Sequence, residues 1–110
     1  MANNFKNSIT DSVGTSATTV YTSTGQKSIA IQLDVVNIID SGVEVEVTIR
    51  DSCASKTGYL IKNAPVPSGG SLTVISDSRK VVLESGDYIQ VKSSAAASVS
   101  VIMSIIEGVA

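Results

Sequence analysis

Few residues in this sequence are suited to chemistry, and the pair that comes closest is Glu44 and Glu46. The two carboxylates stand two residues apart in GVEVEVTIR, so a β-strand would hold them on one side, about 6.5–7 Å apart. Such a separation suits the acid and base of a glycoside hydrolase, but the chain lacks an aromatic platform for a sugar. Its only aromatic residues are Phe5, Tyr21, Tyr59 and Tyr88. We therefore interpret the two glutamates as a solvated or interface-facing side of a strand.

Nucleophilic catalysis and zinc binding lack the residues that they usually require. The chain contains no histidine and a single cysteine, Cys53. This composition excludes a Ser-His-Asp triad, a Cys-His pair and the usual zinc sites built from cysteine and histidine. Cys53 also has no second cysteine with which to form an internal disulfide and no histidine to activate it. We predict that its thiol is inert.

Three acidic residues around one predicted hairpin, Asp77, Glu84 and Asp87, raise the alternative of a calcium site. They do not have the spacing of an EF-hand loop, and we interpret Asp77 and Asp87 as turn residues that bond to their own backbone. The turn Ser68–Gly70 lacks the lysine and the following helix of a phosphate-binding loop. The sequence therefore predicts a protein that is not an enzyme and that uses no metal and no cofactor.

A low charge content distinguishes this chain from an ordinary globular domain. Charged residues are 16% of the sequence, against roughly 25% on average, and the mean hydropathy is +0.28. We expect part of so weakly charged an exterior to be buried against another chain. The 8 basic and 10 acidic residues are scattered, without the basic stripe of a nucleic-acid-binding protein. We therefore expect no direct contact with nucleic acid.

Neither end of the chain has the properties of a membrane or export signal. The start, MANNFKNSIT, lacks the apolar segment of a signal peptide. The longest uncharged run near the end, SSAAASVSVIMSII, is shorter than the roughly 20 residues that a membrane helix needs. We expect a protein that is made inside the cell and has no membrane partner.

Alternation with a period of two predicts strands over most of the chain. In GVEVEVTIR and SIAIQLDVV, apolar residues occupy every second position, as in strands with one covered face. Turn signals rich in glycine, serine and aspartate recur about every 8 to 14 residues, the spacing of a sandwich or small barrel. The predicted strands lie near 5–13, 18–23, 27–38, 43–50, 58–63, 71–76, 79–84, 87–92 and 97–106.

The predicted fold is an all-β, antiparallel β-sandwich of about eight strands, either a jelly roll or immunoglobulin-like. Its length suits one domain over residues 1–110, with residues 1–4 as a mobile or partner-ordered arm. Alternation also assigns the side chains of the core. The predicted core residues are Ile29, Ile31, Leu33, Val45, Val47, Ile49, Leu72, Val74, Val82, Ile89, Val91, Val99 and Val101.

Three parts of the surface are predicted to meet partners. Pro65 and Pro67 cannot donate backbone hydrogen bonds, so the segment 64–68 should be an edge strand or a crossover. The outer side of the last strand is only half polar, and the N-terminal segment is free to pair or pack. We therefore expect a homo-oligomer or a particle-bound protein. The predicted interface residues are Asn3, Phe5, Ile9, Ile102, Ile106, Pro65 and Pro67.

Four stretches of the chain carry a family resemblance: MANNFKNSIT, VGTSATTVYT, YLIKNAPVPSGGSLTVI and KVVLESGDYIQVKSSAAASVSVIMSIIE. Their pattern of strands and turns resembles the small all-β virion proteins of tailed phages, notably those that infect marine bacteria such as cyanobacteria. The likeness covers nearly the whole chain and includes no catalytic signature.

The resemblance implies a structural protein of the virion, made in the cytoplasm of an infected bacterium. Such a protein decorates or cements the capsid, or belongs to the neck or the tail, and its partners are other virion proteins. The alternative function is a small binding module for a carbohydrate or receptor on the host surface. A binding module should contain a pocket or groove with clustered aromatic and polar side chains, whereas an assembly protein should present large flat interfaces.

Overall fold

Nine β-strands build the fold in the part of the chain that the structure describes. The computed structural model describes residues 4–25, 27–76 and 80–109, and within these ranges it contains strands and turns but no helix. The prediction of an all-β protein is confirmed. The strands are β1 (Asn4–Val13), β2 (Thr18–Thr22), β3 (Lys27–Asn37), β4 (Val43–Asp51), β5 (Lys56–Val66), β6 (Ser71–Ile75), β7 (Val81–Leu83), β8 (Tyr88–Ser93) and β9 (Val99–Val109).

The strands form two antiparallel sheets that pack as a sandwich. Sheet A has the order β1-β9-β3-β6, and β7 pairs with β3 on the same side as β6. Sheet B has the order β2-β8-β4-β5. β6 pairs with residues 33–36 of β3 and β7 pairs with residues 28–30. The two short strands therefore share one strand position at the edge of sheet A.

The strand order is that of a jelly roll. When β6 and β7 count as one position, the first strand pairs with the last, the second with the seventh, the third with the sixth and the fourth with the fifth. Eight positions connected in this way in two sheets make a jelly roll. An immunoglobulin-like domain divides its strands between the sheets differently. Of the two sandwich types that the sequence leaves open, the structure has the jelly roll.

The core fills the space between the two sheets. Its apolar residues come from the inward positions of the strands, and complete burial of one valine or isoleucine side chain contributes about 1.5–3 kcal/mol. Most predicted core residues are buried here, and two more pack half-buried against them. The buried ones are Leu33, Val45, Val47, Val74, Ile89, Val91, Val99 and Val101, and the half-buried ones are Ile49 and Leu72.

Three predicted core residues lie on the outside of sheet A instead. Ile29 and Ile31 are half-buried but are not part of the core cluster, and Val82 is 57% exposed. Val82 is the cross-strand partner of Ile29, so the two share a face. Ala30, which simple alternation assigns to the outer side, is completely buried. The core prediction is therefore wrong for Ile29, Ile31 and Val82.

A β-bulge in β3 explains this reversal. On the neighbouring strand β9, Ile105 pairs with Ala30 and the adjacent residue Ser104 pairs with Gln32. Ile31 is therefore one extra residue in β3. Because side chains alternate, an extra residue exchanges the two sides of the strand for every residue beyond it. Ile29 and Ala30, which precede the bulge, therefore face the sides of the sheet opposite to those that unbroken alternation predicts.

Most strand ends differ from the prediction by one to three residues, and the longest extension is in β5, which runs over Lys56–Val66 where a strand was predicted near 58–63. β9 begins at Val99 rather than near residue 97, because Ala97 adopts a positive φ of 47° in the preceding turn. Asn4 belongs to β1 and pairs with Glu107 of β9, so it is not part of the predicted arm of residues 1–4. Residues 1–3 lie outside the described part of the chain.

Candidate interface

β1 turns its apolar side chains away from the core. Phe5 is 78% exposed and Ile9 is 65% exposed. The alternate residues Lys6, Ser8 and Thr10 have completely buried partners on β9, and antiparallel partners lie on the same face of a sheet. The polar side of β1 therefore faces inward and its apolar side faces outward.

At the margin of the sandwich, side chains on the inward side of β1 make polar contacts. The hydroxyl of Ser8 donates a hydrogen bond of 2.7 Å to the carbonyl oxygen of Val20 in β2. The Nζ atom of Lys6 lies 3.8 Å from a carboxylate oxygen of Glu107. β1 thus runs beside the first strand of sheet B, where polar partners replace apolar packing. Its outward apolar residues, Phe5 and Ile9, remain mostly exposed.

The outward residues of β1 belong to an apolar row that crosses sheet A. Phe5 pairs with Ile106 of β9, Ile106 pairs with Ile29 of β3, and Ile29 pairs with Val82 of β7. Because cross-strand partners share a face, the four side chains form one continuous row on the outer face of sheet A. We call this set, Phe5, Ile106, Ile29 and Val82, the first row.

A second row crosses the same face and becomes polar toward β6. Ile9 pairs with Ile102, which is 44% exposed, and Ile102 pairs with Asp34. Asp34 pairs in turn with Thr73, whose hydroxyl donates to it at 2.7 Å. The second carboxylate oxygen of Asp34 accepts a hydrogen bond of 2.8 Å from the side chain of Gln32. We call Ile9, Ile102, Asp34 and Thr73 the second row.

The outer face of sheet B is polar by comparison. Along its central strand β4, Glu46 pairs with Lys92 and Thr48 pairs with Gln90 of β8. Glu44 is exposed on the same side. The two glutamates thus stand on an outward strand side opposite polar partners, which agrees with their interpretation as a solvated surface. The two outer faces of the sandwich are chemically different.

Pro65 and Pro67 lie on the other sheet, apart from both rows. Pro65 is part of β5, the edge strand of sheet B, and pairs with Glu44. Pro67 follows β5 in the crossover to β6, where the backbone N–H of Gly70 donates to its carbonyl oxygen at 2.9 Å. Gly69 has a positive φ of 70° in this turn, a conformation that glycine adopts without strain. The structure thus gives the segment both predicted roles, an edge and a crossover.

The predicted interface residues therefore separate into a face and an edge. Phe5, Ile9, Ile102 and Ile106 come together on the outer face of sheet A, whereas the two prolines do not join them. Asn3 lies outside the described residues. The prediction omitted Ile29 and Val82 from this surface, because the bulge in β3 leaves no signature in hydropathy alternation.

A buried polar cluster connects β2 of sheet B to sheet A beside this face. The hydroxyl of Tyr21 donates to Glu107 at 2.5 Å and lies 3.0 Å from the hydroxyl of Ser28, which also contacts Ser23 at 2.9 Å. Burial, together with the hydrogen bond to Glu107, raises the pKa of Tyr21 to about 12. Through these contacts the phenol holds β2 against β3 and β9.

Of the acidic residues of the calcium alternative, Asp87 has a structural role. Asp87 is buried, and its carboxylate accepts hydrogen bonds from the backbone N–H groups of Glu84 at 3.0 Å and Ser52 at 3.2 Å. The contact with Glu84 lies within its own turn, as predicted, whereas the contact with Ser52 connects this turn to a second loop and was not predicted. Asp77 lies outside the described residues. Among those that are described, no group of three or more cysteine, aspartate or glutamate residues is arranged to hold a metal ion.

Cys53 lies in the turn between β4 and β5. Its thiol is exposed and is not in a disulfide. The backbone N–H of Cys53 donates to the carboxylate of Asp51 at 3.1 Å, so the residue takes part in the turn through its main chain. The prediction that its thiol is inert stays a prediction.

Comparison with known proteins does not extend this description. No family model matches the chain, and no match is found among curated proteins or among solved structures. In the ranges 4–25, 27–76 and 80–109, no helix has the length and the hydropathy needed to cross a membrane.

Proposed function

We propose that the protein is a structural component of a tailed-phage virion and that it acts by protein–protein assembly. The observation that carries the proposal is the apolar outer face of sheet A. Phe5, Ile9 and Ile102 are exposed there beside half-buried isoleucines, and exposed apolar patches of this kind mark sites of protein interaction.

The distribution of aromatic side chains favours assembly over the binding-module alternative. A small-molecule site is concave and gathers aromatic and polar groups around one ligand. Here Phe5 lies on the outer face of sheet A and Tyr59 on β5 of sheet B, where the Nζ atom of Lys62 is 4.9 Å from the centre of its ring. The apolar residues exposed on the outer face of sheet A lie in two rows instead, and the first row crosses four strands. This arrangement suits a broad contact with another folded protein.

The jelly-roll topology is compatible with the proposal without deciding it. Jelly rolls occur in viral capsid proteins and also in lectins and cupins, and a fold by itself does not determine a function. The support for a virion role comes from the resemblance of the sequence to phage virion proteins together with the one-sided apolar surface. Capsid decoration, neck and tail are three locations that such a surface would serve equally well.

Copy number in purified virions tests the proposal and separates these locations. A decoration protein is present in hundreds of copies, whereas a ring in the neck or the tail contains about six or twelve. Quantitative mass spectrometry of virions of the phage that encodes the chain would give the number. Absence of the chain from purified virions would contradict a structural role.

A variant on the outer face of sheet A tests whether that face makes the contact. Ile102→Lys places a charge in the second row, on the central strand β9, and should lower incorporation into virions at least tenfold because a buried unpaired charge is strongly unfavourable. Thr48→Lys is the matched control, since Thr48 faces outward on the central strand β4 of the polar sheet. An Ile102→Lys chain that folds normally and is incorporated at the wild-type level would contradict the assignment.

A further inference from the structure

The strand edges of the sandwich are poorly suited to pairing with another chain. β5 contains Pro65, which lacks a donor, and two register irregularities, and its residue Asn63 has a positive φ of 52°. β2, β6 and β7 are only five, five and three residues long. Short strands, bulges and prolines all oppose the addition of a further strand.

The remaining edge, β1, has its own protection. Lys6 lies on its inward side, and the pairing with β9 is irregular between Thr10 and Val13, where Ser12 has a positive φ of 57°. An inward charge and a bulge both discourage edge-to-edge association. Any association of this sandwich should therefore use a sheet face, and the outer face of sheet A is the apolar one.

The electrostatic character of the two rows restricts the choice of partner. Among their eight side chains the only charged one is Asp34, and both of its oxygens already accept hydrogen bonds from Thr73 and Gln32 within the face. A partner with a strongly charged patch would find no complementary charge in these rows. A second copy of the same surface would have no strongly charged patch, and the carboxylate of its Asp34 would already accept hydrogen bonds.

The size of the face is also sufficient for a self-interface. β3 from Ile29 to Val36 is about 26 Å long and four strands are about 19 Å wide, so each copy offers about 500 Å². Two copies would together bury about 1,000 Å², which is the lower limit for a specific interface. A complex of this size should be weak and should dissociate at low concentration.

From the blunted edges, the nearly uncharged rows and this area, we infer that the occupant of the outer face of sheet A is a second copy of the chain. The two copies pack face to face about a two-fold axis, as most homodimers do. The inference rests on the proposed assembly function and names the partner at the same surface. Near the axis, each residue meets its own counterpart, and Ser104 lies in this central region because it pairs with Asn7 on one side and Gln32 on the other, between the two rows.

Sedimentation equilibrium of the purified chain tests the inference directly. The wild-type protein should change from monomer to dimer as its concentration rises to about 1 mM, the range of weak complexes. Ile102→Lys should weaken dimerisation at least tenfold, and the matched variant Thr48→Lys should dimerise like the wild type. Circular dichroism melts establish that both variants fold. A wild-type chain that stays monomeric, or an Ile102→Lys chain that dimerises normally, would overturn the inference.

Crosslinking locates the axis on the face. The exposed Cys53 is first replaced with serine, and a single new thiol is introduced by Ser104→Cys. A bismaleimide that reaches about 10 Å, the spacing of stacked sheets, should convert this variant to a covalent dimer. The same reagent should leave Thr48→Cys monomeric at equal concentration. Equal yields from the two variants would contradict face-to-face packing through sheet A.

The combined results separate this inference from the proposed function. A chain that is monomeric in solution but whose incorporation into virions falls with Ile102→Lys would retain the assembly face and overturn only the second copy as its occupant. A dimer that is abolished by Ile102→Lys while incorporation stays at the wild-type level would support the second copy and overturn the role of this face in virion assembly.

Discussion

Individual buried polar residues link the two sheets at separate places in the sandwich. Tyr21 of β2 reaches Glu107 and Ser28 of sheet A. Asn37 of β3 donates through Nδ2 to the carbonyl oxygen of Val66 in β5 at 3.0 Å, and its Oδ1 accepts from the backbone N–H of Ile39 at 2.9 Å. A hydrogen bond between defined partners orients the sheets more specifically than apolar contact, which has no directional preference.

The first prediction concerns the hydroxyl of Tyr21. Tyr21→Phe keeps the buried ring but removes the hydrogen bonds to Glu107 and Ser28, so it should lower the free energy of unfolding by about 1–3 kcal/mol at neutral pH. Tyr59→Phe is the control, because Tyr59 is exposed and should change stability by less than about 0.5 kcal/mol. Urea unfolding monitored by circular dichroism measures both. Equal stability of the two variants would contradict the linking role of Tyr21.

The same residue predicts a dependence of stability on alkaline pH. Burial raises the pKa of Tyr21 from 10.0 to about 12 in the folded protein. As the pH rises through 10, the unfolded chain loses this proton first, so the stabilisation is complete below pH 10 and is lost as the pH approaches 12. The loss should amount to about 2 kcal/mol. In Tyr21→Phe this part of the decline should disappear, and a decline that persists unchanged would assign it to other groups.

At the level of the strands, β1 and β3 make the outer face of sheet A apolar by two different routes. β1 has an ordinary alternating pattern, but its polar side is the one that faces inward, opposite buried residues of β9. β3 is shifted by the extra residue Ile31, so its first isoleucine faces outward. Neither effect alone would complete the first row, because that row requires both Phe5 and Ile29.

The second prediction tests the bulge in β3 by exchanging the sides of the strand. Ala30→Lys should prevent folding, because Ala30 is completely buried and an unpaired charge there costs several kcal/mol of a total of about 5–15. Ile29→Lys should fold and lose no more than about 1 kcal/mol. Urea unfolding at low protein concentration, where a weak dimer adds little stability, compares the two. The opposite order of stability would show that unbroken alternation, and not the bulge, describes this segment.

The whole molecule is a sandwich whose outer face is more apolar on sheet A than on sheet B. Lys92 and Glu46 stand on the outside of sheet B, whereas the rows on sheet A contain the single carboxylate Asp34. A charge content of 16% is therefore sufficient for one solvated face. The other face has little charge, and this asymmetry is the physical basis on which we propose the assembly function.

The third prediction concerns the core that both sheets share. Val47 is completely buried on the inward side of β4, so Val47→Asp should abolish folding, since a buried unpaired carboxylate costs several kcal/mol. Thr48→Asp, one residue along and outward, should change the free energy of unfolding by no more than about 1 kcal/mol. Far-ultraviolet circular dichroism distinguishes a folded β-protein from an unfolded chain. A Val47→Asp variant with wild-type stability would show that the assigned core face is wrong.

Local sequence patterns are sufficient to predict many of the strands of this protein and some of their buried sides. The alternation in β4 identified both the strand and its buried side, since Val45 and Val47 face inward as predicted. The prolines predicted that the segment 64–68 is an edge or a crossover, because Pro65 lacks the donor that a central strand requires. The absence of histidine excluded several kinds of active site. Each of these conclusions depends only on the type of a residue and on the few residues next to it in the sequence.

The tertiary structure alone decided which surface is apolar and how the strands are arranged. Whether β1 turns Phe5 or Lys6 inward depends on its register against β9 and its contact with β2, which are distant in sequence. The extra residue Ile31 is visible only when β3 is paired with β9. The jelly-roll order likewise depends on pairing between the first and last strands. Period-two alternation is the same whatever the register, the bulge or the strand order, because it describes one strand at a time. A sheet face, by contrast, is made by several strands.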